Sequence, residues 1–174
     1  MTNGALPHMV EFRTLAARGI HLKGTLSAER LPRLRDAVRS IVGSVQTEIQ
    51  FDRDEEGRPI AAIVVVAQVK VACQRCLQEL EVVLETSSRL AAVWNDEQAA
   101  ALPGSLEPLV MAEEVDLWGV VDEELLLALP QFSYHAERDC GVTSGRVVAP
   151  ALPVEDAERE NPFSVLASLK NSDT

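Results

Sequence analysis

The sequence predicts an α+β protein: an antiparallel β-meander with a helix from the N-terminal half and further helices from the C-terminal half packed on it. Three segments between residues 45 and 94 alternate apolar and polar side chains at period two. Residues 27–42 and 113–129 instead space their apolar side chains three and four apart, the period of an amphipathic helix. Short polar turns separate the alternating segments, and the simplest way to join them is a meander.

In residues 27–42, Leu31, Leu34, Val38 and Ile41 fall on one stripe and Ser27 is placed to cap the helix. Pro32 lies deep for a helix that starts at Ser27, so a distorted first turn or a start nearer Leu31 is expected. Val45, Thr47, Ile49 and Phe51 alternate with Gln46, Glu48 and Gln50 in the first strand, which ends in the polar turn 52–59. The second strand, 60–72, is β-branched. Cys73-Gln74-Arg75-Cys76 turns it into the third, 78–94, where Leu80, Val82 and Leu84 oppose Glu79, Glu81 and Glu85. Asn95 caps a short helix, and Pro103, Gly104 and Pro108 make 103–111 a loop. Residues 113–129 form the longest helix, stopped by Pro130. A polar, flexible connection over about 141–160 leads to a last amphipathic helix, with Asn161 at its cap, Pro162 in its first turn and Phe163, Val165, Leu166 and Leu169 on its apolar face.

At 174 residues the chain is expected to form a single domain over 1–174. Its formal charge of −11 is unevenly spread. Residues 1–94 carry 11 acids and 12 bases, a net +1, whereas 95–174 carry 16 acids and 4 bases, a net −12. Coating nucleic acid needs clustered Lys and Arg, so the acidic total argues against that role for the molecule as a whole. Glu11, Arg13 and Arg18 interrupt any apolar leader, and the longest uncharged run, 60–69, is far short of the roughly 20 residues of a spanning helix. A soluble, cytoplasmic protein is expected.

Cys73 and Cys76 are spaced to grip one tetrahedral zinc ion from a tight turn, and His135 with Cys140 offers the other half of such a site. A closed site would tie the strand turn to the loop after Pro130. The alternatives are a set of reduced, metal-free cysteines and a thioredoxin-like redox pair, although that motif opens a helix in a βαβ setting and here extended runs flank it. Arg30, Arg33, Arg35 and Arg39 form the one basic cluster, flanking the leucine stripe from both sides; they read as a solvated face or as a contact for RNA phosphates. The 113–129 helix is rich in acid. Glu113, Glu114, Asp116, Asp122 and Glu123 suit its N-terminal end and a solvated or partner-facing surface. Glu124 sits instead on its apolar face and needs either a partner such as an arginine or a contact surface. His8, His21 and His135 neighbour no nucleophile motif and no Gly-rich phosphate loop is present, so no enzymatic constellation emerges.

Five segments in order carry a resemblance: CQRCL at 73–77, DEQAAALP at 96–103, VDLWGVVDEELLLALP at 115–130, the His135…Cys140 pair, and NPFSVLASLK at 161–170. Together they closely resemble the YceD family, the bacterial large ribosomal RNA subunit accumulation proteins. The resemblance implies a part in the synthesis, processing or accumulation of 23S ribosomal RNA, and brings no established reaction and no catalytic residues. Partners would be the pre-ribosomal large subunit, ribosomal proteins or the rRNA-processing machinery. Some members have a Cys-rich loop after the long helix that looks like a zinc site; this chain keeps Cys140 there, which leaves His135 as the fourth ligand. The expected protein is a non-enzymatic accessory factor whose acidic half meets basic surfaces. Its rivals are direct rRNA binding through the Arg30–Arg39 helix and a nuclease whose carboxylates hold Mg2+.

Overall fold

The alternating segments become the long middle strands of one sheet in the computed structural model, which describes residues 2–111 and 113–141. In chain order the elements are β1 (Thr2–Ala5), β2 (Met9–Val10), α1 (Phe12–Ala17), β3 (His21–Leu26), α2 (Pro32–Ala37), β4 (Ser40–Arg53), β5 (Pro59–Ala72), β6 (Glu79–Val93), α3 (Asp96–Ala100), β7 (Glu107–Val110), β8 (Val115–Asp116) and α4 (Leu117–Leu127). The main sheet has the order β1-β3-β4-β5-β6-β7, and β2 pairs with β8 in a separate two-stranded ribbon. Strands β3 to β6 form the antiparallel meander that the sequence predicts. The sheet as a whole is mixed, because β1 joins β3 and β7 joins β6 in parallel.

Register places the apolar stripes side by side. Ile49 faces Ile63, which faces Ser88, and Phe51 faces Ala61, which faces Leu90. With Val45, Val65, Val69 and Leu84 these residues make one continuous apolar face. Onto it α1 brings Phe12, α2 brings Leu34 and α4 brings Val121 and Leu125, all buried. Burying each of these side chains contributes about 1.5–3 kcal/mol. The Phe12 and Phe51 rings meet edge to face, 5.1 Å between centroids. The opposite face carries Lys23, Glu48, Gln68 and the exposed Val64 and Val83, with a small second cluster of Ile60, Ala91 and Leu106 at one end.

Four differences from the sequence reading have local causes. First, residues 27–42 are not one helix. A one-turn 3-10 helix at Ala28–Arg30 precedes α2, Ser27 makes no side-chain cap, and residues 40–42 already belong to β4. Val38 is extended and the Arg39 N–H donates to the Lys70 carbonyl at 2.8 Å, so pairing with β5 ends the helix. Second, β4 is longer than 45–51 because a register shift between Val42 and Gln46, at Gly43 with φ 70°, lets the strand run through the irregularity. Third, the loop at 103–111 contains β7, whose Pro108 is tolerated on an edge strand. Fourth, the long helix starts at Leu117, since Val115 and Asp116 pair with Val10 and Met9 first. The short helix capped by Asn95 is as expected: its side chain accepts the Gln98 N–H at 2.9 Å. The expected connection at 141–160 and the helix at 161–169 lie outside the described residues, apart from Gly141.

Pro32 occupies the first turn of α2, where its missing N–H is no loss, but the N–H groups of the next residues have no partner within so short a helix. Asp122, from the middle of α4, supplies it. Its two carboxylate oxygens accept the Leu34 N–H at 2.9 Å and the Arg33 N–H at 3.0 Å. At the other end of the sheet, Gly24 admits the backbone of β1, because a Cβ there would stand 2.6 Å from the Gly4 carbonyl oxygen.

Asp122→Ala leaves one buried and one part-buried donor unpaired and is expected to lower stability by about 2 kcal/mol in urea unfolding, with Asp122→Asn losing less because an amide oxygen still accepts. A loss below about 0.5 kcal/mol for the alanine variant would show that these donors find other partners.

Candidate metal centre

The Cys-x-x-Cys segment is a tight turn closing the β5–β6 hairpin. The Cys73 N–H donates to the Gln78 carbonyl at 2.9 Å and the Leu77 N–H to the Cys73 carbonyl at 2.8 Å. Leu77 adopts φ 61°, a left-handed conformation unusual for a branched side chain, and holds that side chain 68% exposed. The chain leaving α4 passes Pro130 and docks on this turn through backbone groups. The Gln74 N–H reaches the Ser133 carbonyl at 2.9 Å, the Gln74 side chain the Gln131 carbonyl at 3.1 Å, and the Arg75 guanidinium the His135 carbonyl at 2.8 Å. A single 3-10 turn at Glu137–Asp139 then delivers Cys140.

These contacts bring together the four residues that the sequence singles out. The ligand atoms of Cys73, Cys76, His135 and Cys140 all lie within 4.8 Å of one another. Cys73 and Cys140 are buried, while Cys76 and His135 are half-buried. His135 Nε2 lies 2.9 Å from the Glu79 carbonyl oxygen, which can only accept, so Nε2 carries the hydrogen. The free lone pair of Nδ1 is then on the side of Cys76 Sγ, 3.3 Å away. A backbone carbonyl fixing the distal nitrogen is the usual support of a metal-bound imidazole.

The electrostatics of the sulfurs also suit a cation. Burial works against ionising Cys73, but the N–H groups of Cys76, His135 and Arg75 and the Cys76 thiol outweigh it and bring its pKa down to about 5. For Cys76 the Gln78 N–H favours the thiolate. Burial and the neighbouring Cys73 and Cys140 sulfurs prevail, and its pKa is raised. One sulfur is thus ready as a thiolate, and mutual repulsion opposes the next. A divalent cation between them relieves that repulsion. Three thiols and one imidazole at this spacing fit tetrahedral zinc, whose sulfur ligands stand about 2.3 Å from the metal.

The other residues singled out from the sequence do not converge on one site. Arg30, Arg33, Arg35 and Arg39 are all exposed, but they are spread over a 3-10 turn, α2 and the start of the link to β4, so no single helix face presents them. Arg30 lies 4.4 Å over the Trp118 ring, which also stacks on His8 at 4.1 Å, a cluster with no counterpart in the sequence reading. Glu113, Glu114 and Glu123 are exposed. Asp116 caps α4, accepting the Trp118 and Gly119 N–H groups at 3.0 Å. Asp122 is 2% exposed and leaves the acidic surface altogether, because it caps α2.

A mixed-sheet α+β domain with a Cys3His cluster tying its β5–β6 turn to the loop after its long helix is the class that fold and site define. The chain belongs to the family described as large ribosomal RNA subunit accumulation protein YceD, which it matches over residues 62–170. It is 35% identical over 167 residues to the protein of that description from Haemophilus influenzae, covering 95% of this chain and 96% of the relative. No solved structure matches it.

In the metal-free, reduced protein, Cys73 titrates below its ordinary value of 9.0, at about 5, so between those values the unfolded chain binds a proton that the folded one does not. Stability is therefore expected to rise with pH across that window and to fall as pH drops toward 5, the slope being flatter in Cys73→Ser; equal slopes in denaturant titrations of the two proteins would contradict it.

Proposed function

We propose that this protein is a non-catalytic accessory factor in the accumulation of large ribosomal RNA, acting by contact with basic protein surfaces of the forming large subunit. The observation that carries the reading is family membership, through a relative named for large ribosomal RNA subunit accumulation that is matched over nearly its full length. The charge distribution supports the mode of action. Of the acids after residue 94, Glu113, Glu114 and Glu123 point into solvent, and charge complementarity of this kind speeds encounter with basic partners and discourages wrong ones. Ribosomal proteins and rRNA-processing enzymes of basic composition are the partner class that fits. No helix among the described residues is long and apolar enough to cross a membrane.

Cys73, Cys76, His135 and Cys140 hold one structural zinc ion in this reading. The ion cross-links the β5–β6 turn to the loop after α4, two segments joined otherwise by a few hydrogen bonds. Its service is to folding, since four protein ligands leave no open position for a substrate.

Protein purified without chelator should carry one zinc ion per chain, lost in Cys140→Ser and His135→Ala together with a fall in melting temperature. Less than about a tenth of an atom per chain would overturn the zinc assignment. In sucrose gradients the protein should travel with large-subunit precursors at low salt and leave them by about 0.5 M. Because RNA contacts are also salt-sensitive, charge reversal decides between partners. Glu113→Lys with Glu114→Lys and Glu123→Lys should release the protein, and Arg33→Glu with Arg39→Glu should not. The opposite pattern would place the contact on RNA, and cleavage of precursor rRNA by the purified protein with Mg2+ would make it a nuclease.

A further inference from the structure

Neither the core nor the metal centre accounts for Glu124. Its side chain is 6% exposed on α4, yet among the described residues no Lys, Arg or His pairs with it. One carboxylate oxygen, Oε2, accepts the Thr86 hydroxyl from β6 at 3.1 Å, and the other accepts no hydrogen bond from a described residue. A carboxylate with so little exposed surface gains by pairing with a cation or by accepting further hydrogen bonds. Two residues along β6 on the same face, the Ser88 hydroxyl is also buried without a partner.

Glu124 lines a cleft of 280 Å³ at the edge of the sheet. Parallel pairing sets Leu90 of β6 beside Glu107 of β7 and Ala92 beside Leu109, and α4 closes the cleft with Val120, one turn before Glu124, and its neighbour Glu123. Leu90, Leu109 and Val120 give it apolar walls; Glu107 and Glu123, both exposed, add two more carboxylates. Nothing basic is among its lining residues. The volume is below that of a typical small-molecule site and suits a single long side chain. A largely buried acid that opens only on the cleft, flanked by apolar walls and further acids, is the complement of a side chain that is aliphatic along its stem and cationic at its head.

We propose that this cleft is a socket for one arginine of a basic protein partner. The stem lies against Leu90, Leu109 and Val120, and the guanidinium reaches the unpartnered oxygen of Glu124 with Glu107 and Glu123 beside it. Arginine fits better than lysine because its planar fork matches a carboxylate and sheds water more readily. The proposal rests on the reading above that the partner is a basic protein, and it names the feature of that partner which is recognised. An anchor of this kind, desolvated and central, typically carries far more of an interface's affinity than rim charges do.

The test uses the full chain, isotope-labelled, titrated with N-acetyl-arginine amide, and with N-acetyl-citrulline amide as its uncharged analogue. Arginine should shift the Glu124 carboxyl and Thr86 resonances, and citrulline should not. Glu124→Gln, which keeps the acceptor for Thr86, should weaken binding at least tenfold without lowering the melting temperature. Glu107→Gln at the mouth should weaken it two- to threefold. Shifts confined to exposed acids such as Glu113, unchanged binding by Glu124→Gln, or loss of folding in that variant would overturn the socket. Gradients with large-subunit precursors separate the two readings. A Glu124→Gln protein that no longer binds arginine but still travels with precursors refutes the socket as a partner contact and leaves the function standing. A wild-type protein that binds arginine but never travels with precursors refutes the function and leaves the socket.

Discussion

The carboxylate of Asp122 accepts the first free N–H groups of α2, and through that pair of hydrogen bonds a long helix late in the chain is fixed to a short helix early in it. Neither helix could be placed by its own sequence. With six residues, α2 is too short to be stable alone, and Leu31 before it offers no capping oxygen. Once α2 is anchored, Leu31 and Leu34 seal the core, and the stripe of α4 that carries Val121 and Leu125 is set on the sheet. Where α4 ends then decides where the chain beyond Pro130 goes. That path runs over the β5–β6 turn and brings His135 and Cys140 to Cys73 and Cys76. Orientation of the same helix turns Glu124 toward the β6–β7 edge.

A single turn of α4 thus holds three consecutive carboxylates with different surroundings. Asp122 accepts backbone donors, Glu123 is exposed, and Glu124 accepts one hydroxyl through one of its two oxygens. The acidity that marks the second half of the sequence is therefore not one surface. Part of it serves as helix caps, at the surface for Asp116 and buried for Asp122, and part is presented outward. An acidic protein in an RNA pathway is consistent on the proposed reading, in which the exposed acids would meet basic proteins and repel phosphates.

Legibility in the sequence followed the range of the forces involved. Strands β5 and β6 were legible to within a residue or two because alternation over more than a dozen residues is set by burial of one face, and a slip of one residue would turn every side chain over. Asn95 and Pro130 were legible for an equally local reason: a side-chain cap and a missing N–H act within one turn. The N-terminal β1, β2, α1 and β3 were not, being short and stabilised by pairing with distant segments, as Met9 is by Asp116. Strand β7 was hidden for the same reason behind Pro108. The stripe Leu31, Leu34, Val38 and Ile41 read as one helix because a turn of helix and the start of a strand happened to point the same way.

At the candidate metal centre, the residue types and the tight Cys73–Cys76 spacing were a property of the sequence, as was the placing of His135 with Cys140 on one loop. That the two halves meet, which histidine nitrogen faces the sulfurs and why the pKa of Cys73 is lowered while that of Cys76 is raised were decided by tertiary structure, because each depends in part on groups brought from elsewhere: the carbonyl of Glu79, the N–H of His135 and the Cys140 sulfur. The sequence by itself determined the alternation of the meander strands, the stop at Pro130, the cysteines and histidine of the candidate site and the uneven charge, which are local properties of the chain. Only the folded chain decided the sheet's parallel edges, the role of Asp122 and the isolation of Glu124, since an acid's meaning depends on which donors, walls and waters the fold sets around it.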